Sequence, residues 1–212
     1  MTRVLLIGFG PFPGAPVNPS AALATALARR RRPAFAGVER IAHVFATAYA
    51  AVDRELPKLF VAKPDIVLIF GFAARRRALC VETRARNATS PLVPDVRGYR
   101  PSTAVIARGK PSARYGNAPF AQLVAAARAR AFPARLSRDA GRYLCNYAYW
   151  RALQLTRGAT PLVAFVHIPP VRVAPRRRRG KRRTLAFAQL IDAAEALLVA
   201  LVAASRRNCA QW

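Results

Sequence analysis

The run Asp65-Ile66-Val67-Leu68-Ile69-Phe70-Gly71-Phe72 decides the fold class. After Asp65 it carries no charge and no polar side chain, and its length suits a strand rather than a helix. A continuous apolar run of this kind marks a strand covered on both faces, as in parallel sheets. Residues 3–8 read the same way, closed by Gly8 and Pro11. Residues 38–47, 79–87 and 162–167 supply further strands. Helical patterns separate them. Asn18 can cap a helix with Pro19 at its first position, where a missing N–H costs nothing. That helix runs on to residues 29–32, whose arginines suit the negative end of its dipole. Residues 49–61, 119–131, 145–154 and 184–205 read as further helices. Alternating strands and helices predict a three-layer α/β/α architecture with a twisted, largely parallel central sheet.

The chain has 212 residues, a length that suits one α/β domain, and no composition shift divides it. Residues 88–117 form a long connection rich in Pro, Gly and Ser, and such connections tend to be functional. Hydrophobic residues make up 53% of the chain, which excludes a disordered protein. The apolar run that begins at Val4 stops at Gly8, shorter than the core of an export signal. The longest apolar stretch, residues 185–204, contains Asp192 and Glu195, so it is expected to pack as an amphipathic helix rather than span a membrane.

The formal net charge is +27, from 36 Lys and Arg against 9 Asp and Glu, and only four of the basic residues are Lys. Such a charge invites nucleic acid. No zinc spacing or nucleic-acid-binding motif accompanies it, so nucleic-acid binding is expected to be nonspecific at most. The same field should favour acidic peptides or polyanions. Three Cys, an odd number without metal-ligand spacing, argue against a disulfide framework and for a reducing cytoplasmic setting.

Only two histidines exist, His43 and His167. His167 ends a predicted buried strand and precedes Pro169-Pro170, where open α/β sheets place their sites. His43 sits inside an alternating strand pattern and reads as structural. Cys145 follows Gly141-Arg142-Tyr143-Leu144 at the start of a helix. The helix dipole and free N–H groups there stabilise a thiolate and can also hold an oxyanion. The alternative is a small buried hydrophobe, which suits Cys80 and Cys209 better. A Cys–His pair often has a third group that orients the imidazole. Glu82 stands out in the apolar stretch Leu79-Cys80-Val81-Glu82, with an arginine ion pair as its bland reading. Asp95 and Asp139, both in loops, could serve instead.

Four segments, in order, resemble the type I pyroglutamyl peptidases, or pyrrolidone-carboxylate peptidases, a family of cysteine peptidases. They are Gly8-Phe9-Gly10-Pro11-Phe12 with Asn18-Pro19; the stretch from Gly71 through Glu82 to Asn87; Ser137-Arg138-Asp139-Ala140-Gly141-Arg142-Tyr143-Leu144-Cys145-Asn146; and Phe165-Val166-His167-Ile168-Pro169. The resemblance implies one catalytic domain over residues 1–212 and a triad of Cys145, His167 and Glu82. It implies a lactam pocket built partly from Phe9, Phe12, Asn18 and Tyr143, with no cofactor and no metal. The implied reaction removes an N-terminal pyroglutamyl residue from a peptide through a thioester. The implied assembly is a homo-oligomer, often a tetramer. The chain departs from the family pattern at Cys80, Thr83-Arg84 and Leu92, where an Arg is common, and at Arg75-Arg76-Arg77, where the family is Gly-rich. A related cysteine amidase of altered specificity and a noncatalytic basic binding protein are the competing functions.

Overall fold

The computed structural model describes residues 1–12, 14–156, 161–172 and 185–209. The chain begins with β1 (Thr2–Phe9), followed by α1 (Pro19–Arg29). Asn18 caps α1 as expected, its Oδ1 accepting from Ser20 N at 3.1 Å. Next come β2 (Val38–Phe45), α2 (Tyr49–Val61) and β3 (Ile66–Phe72). The expected strand at 79–87 divides at Thr83 into β4 (Leu79–Glu82) and β5 (Arg84–Arg86). β6 (Ala113–Tyr115), α3 (Phe120–Ala129), β7 (Ala134–Ser137), α4 (Leu144–Leu155), β8 (Leu162–Ile168) and α5 (Phe187–Cys209) complete it.

Six strands form one sheet in the order β2-β1-β3-β8-β4-β7. The first four run parallel, and β4 lies antiparallel to β8. The predicted strand at 65–72 therefore occupies an interior position, with β1 and β8 on either side. Along β3, Ile66 to Phe70 are fully buried. Alternate residues face opposite layers, because side chains alternate across a strand. Leu68 and Phe70 pack among α1, α3 and α5, whereas Val67 and Ile69 pack among α2 and α4. The three-layer α/β/α arrangement follows from this two-sided apolar run.

Two strands were not legible. β7 (Ala134-Arg135-Leu136-Ser137) is an edge strand with only Ala134 buried, so it lacks an apolar run. β6 lies inside the connection at 88–117 and exists because it pairs antiparallel with β5. Side chains pin that connection. Asn87 Oδ1 accepts from Ile106 N and Ala107 N. The buried Asp95 carboxylate accepts from Tyr49 N, Arg97 N and Tyr99 N. Asn146, fully buried in α4, exchanges hydrogen bonds with the backbone of Arg86 and also donates to Ala88 O.

α5 is long and apolar enough to cross a membrane by composition alone. Its Leu190, Ala194, Leu197, Leu198 and Leu201 are instead buried in the core. Its polar side is held by Glu195, which binds Arg30 Nε at 2.6 Å and Arg32 Nε at 3.0 Å. The helix reaches Cys209, four residues beyond the expected end. Its expected start at Thr184, and the basic loop expected at 169–183 from residue 173 onward, lie outside the described residues.

Candidate active site

Sheet register brings the first two candidate groups together. Glu82 on β4 stands opposite Phe165 on β8, and His167 is two residues further along β8. Residues directly opposite share a face, and so do residues two apart on one strand. Glu82, Phe165 and His167 therefore all face the α2/α4 layer. His167 Nδ1 lies 2.8 Å from Glu82 Oε1. The Phe165 ring supports the imidazole edge-on, with centroids 5.0 Å apart.

Glu82 has no exposed surface, and an isolated buried carboxylate would be costly. Three groups compensate it. His167 takes Oε1, Asp139 N donates to Oε2 at 3.1 Å, and the Arg76 guanidinium lies 3.8 Å from Oε1. Glu82 thus meets an arginine, as its ion-pair reading expects, and also touches the imidazole. Burial pulls the His167 imidazole toward its neutral form. Its hydrogen bonds to Cys145 and Glu82, and then their negative charges, outweigh that effect and lift its pKa to about 9.

Cys145 is the second residue of α4, after Tyr143 as N-cap. The earliest ladder bond there runs from Tyr147 N to Tyr143 O, leaving the preceding N–H groups without intrahelical acceptors. Gly141, at φ +82°, makes the entry turn, and its N–H donates to Asp139 Oδ1. Tyr149 anchors α4 to the sheet: its ring packs on Phe165 at 5.5 Å and its hydroxyl donates to Glu82 O at 3.0 Å. The sulfur then comes so close to β3 that a Cβ at Gly71 would stand 2.8 Å from it. Gly71 is itself the register partner of His167.

A cavity of about 180 Å³ opens beside the thiol and imidazole, lined by Phe9, Phe12, Asn18, Thr47, Tyr143, Cys145 and His167 among others. All four residues implied by the resemblance for a lactam pocket line it. Asn18 is nearly buried; it caps α1 and donates from Nδ2 to Gly10 O, which holds the loop bearing Phe12. Tyr143 packs on Phe12 at 6.4 Å and donates its hydroxyl to Pro94 O, and burial pushes that hydroxyl up to about 12. The matching family model, pyroglutamyl peptidase, covers residues 2–207. The chain belongs to the pyroglutamyl peptidase family.

A pyrrolidone-carboxylate peptidase of Gloeobacter violaceus is 36% identical over 169 residues, covering 79% of this chain and 81% of that protein. One from Thermococcus onnurineus is 35% identical, covering 79% and 83%. Among solved structures, pyroglutamyl peptidase I of Bacillus amyloliquefaciens superposes with a TM-score of 0.80 at 25% identity, over 96% of this chain and 98% of that one. A mutant pyrrolidone carboxyl peptidase of Pyrococcus furiosus gives 0.81 at 26% identity, over 94% and 98%. This chain is accordingly a cysteine peptidase with the fold of that family.

The remaining candidates fall elsewhere. Asp95 is occupied by backbone N–H groups, and Asp139 meets Glu82 through its own N–H rather than its carboxylate. His43 sits on β2 against Glu55 at 3.0 Å and stacks edge-on to Phe45, a structural role. Cys80 is buried in β4, its sulfur 3.6 Å from Arg76 Nη1. Leu92 is 79% exposed and is not among the cavity lining. Residues missed in the sequence are Gly71, Arg76, Thr47 and Phe72. Gly71 carried a signal, as the one residue without a side chain in the apolar run. Arg76 was hidden among its neighbours Arg75 and Arg77.

Proposed function

We propose that this chain removes N-terminal pyroglutamyl residues from peptides, with Cys145 as nucleophile, His167 as acid–base and Glu82 as the group that orients the imidazole. The observation that carries the reading is the 2.8 Å contact of His167 Nδ1 with Glu82, with Cys145 and His167 together lining an aromatic-walled cavity. The lactam ring is flat and uncharged, and suits apolar walls with a few polar groups. An unmodified α-ammonium would lose its hydration there at high cost.

With its Nδ1 on Glu82, the imidazole takes the thiol proton on Nε2. The Cys145 sulfur attacks the pyroglutamyl carbonyl carbon. The first N–H groups of α4 face the resulting oxyanion. As the C–N bond breaks, His167 returns the proton to the leaving amine, and a thioester remains. Water, deprotonated by His167, then releases pyroglutamate and restores the thiol. Neither metal nor cofactor enters the scheme. Residues 1–212 act as one catalytic domain, in a reducing cytoplasm where the thiol persists, and as a homo-oligomer of the tetrameric kind that the family resemblance implies.

The test is release of aminomethylcoumarin from its pyroglutamyl amide. Wild type should turn it over and Cys145→Ala should not. An inactive wild type, or undiminished turnover by the variant, overturns the assignment.

A further inference from the structure

The mouth of the cavity carries uncompensated charge. Two segments border it on the His167 side. The turn after β3 is tied to β8 by Ala73 N donating to Ile168 O. The loop before α4 is tied to that turn by Arg76 Nη2 donating to Asp139 O at 2.9 Å. Residues 73–86 and 137–143 together hold Arg75, Arg76, Arg77, Arg84, Arg86, Arg138 and Arg142, against only Glu82 and Asp139. Both acids are occupied: Glu82 is buried against His167, and Asp139 Oδ1 serves Gly141 N and Arg86. Some arginines elsewhere do have acidic partners, as in Arg30 with Glu195 and Asp192, or Arg151 with Asp53. Among the described residues Arg75, Arg77 and Arg142 are exposed and make no ion pair.

Position gives these charges an object. With the ring in the cavity and the reacting carbonyl at Cys145, the leaving amine faces His167. On that placement the peptide beyond it runs past Phe72, a lining residue that leads directly into the first of these segments. Arg142 sits at that rim, because its neighbours Gly141 and Tyr143 both line the cavity. We infer that Arg75, Arg77 and Arg142 select acidic residues in the peptide that follows the pyroglutamyl group. This rests on the function proposed above and names its substrate class. Attraction between exposed charges is modest and screened by salt, with a Debye length of about 10 Å at 0.1 M and about 3 Å at 1 M. The preference should lie in KM and be roughly tenfold over three such charges.

Hydrolysis of pyroglutamyl-Glu-Glu, pyroglutamyl-Ala-Ala and pyroglutamyl-Lys-Lys is compared at 50 mM and 1 M NaCl. Wild type should favour the acidic peptide through KM at low salt and lose the preference at high salt. The triple variant Arg75→Gln, Arg77→Gln, Arg142→Gln should bring the peptides within about twofold, and Arg142→Glu should shift preference toward the Lys peptide. Anisotropy of a labelled pyroglutamyl-Glu-Glu peptide on Cys145→Ala reads the rim without turnover, so an inactive wild type sinks the function while this binding still judges the rim. Equal affinity for acidic and neutral peptides, or an acidic preference that survives the triple substitution, overturns the inference. Tighter binding of a ten-nucleotide oligouridylate, lost on the same substitutions, overturns it in favour of nucleic acid.

Discussion

Replacing Gly71 by Ala tests whether the proposed nucleophile, Cys145, is placed by the sheet. An added Cβ would lie 2.8 Å from Cys145 Sγ and 2.7 Å from Phe165 Cζ, whereas ordinary contacts begin at 3.4 Å. The sulfur would have to retreat by about 0.6 Å and the Phe165 ring by about 0.7 Å. Neither movement is innocent, since Phe165 supports His167 on one side and Tyr149 on the other. Displacing reacting groups by 1 Å can cost about 10²-fold in rate, so a fall in kcat of about 10- to 100-fold is expected. Overpacking should also cost about 1–3 kcal/mol, which leaves a domain of ordinary stability (about 5–15 kcal/mol) folded. Coumarin release gives kcat, iodoacetamide labelling the reactivity of the thiol, and urea denaturation the stability. A variant that keeps kcat within twofold of wild type while its stability falls would refute the reasoning, because strain would then be absorbed away from the thiol.

Glu82→Gln should lower kcat by about 10²- to 10⁴-fold, as an amide cannot hold the imidazolium. It should also move the alkaline limb of the pH–rate profile, set in wild type by a His167 pKa of about 9, to lower pH. The sign is that of a raised base: the imidazolium's contribution to stability is full below about pH 6.5 and is lost as pH rises through about 9. An unmoved limb in the variant would assign it to another group. Asn146→Ala should cost about 2–4 kcal/mol in urea denaturation, since it strands the backbone N–H of Arg86 and the carbonyls of Arg86 and Ala88. A loss below 0.5 kcal/mol would show that water replaces all three bonds.

Local chemistry along the chain already determined much of this protein. The apolar runs at β1, β3 and β8, the Asn18-Pro19 helix start and the helix-leading Cys145 declare themselves, because strand burial, capping and dipole effects act between near neighbours. The α/β class followed from them, and the ordered segments around Phe9, Glu82, Cys145 and His167 pointed to the family. Tertiary structure alone decided how those groups meet. Glu82 and His167 are 85 residues apart and join only because β4 turns antiparallel against β8 in one particular register. β6 and β7 exist only as partners of other strands, and nothing in their composition required them. The need for Gly71 and the compensating role of Arg76 likewise arise from approach distances between distant segments, which no local pattern encodes.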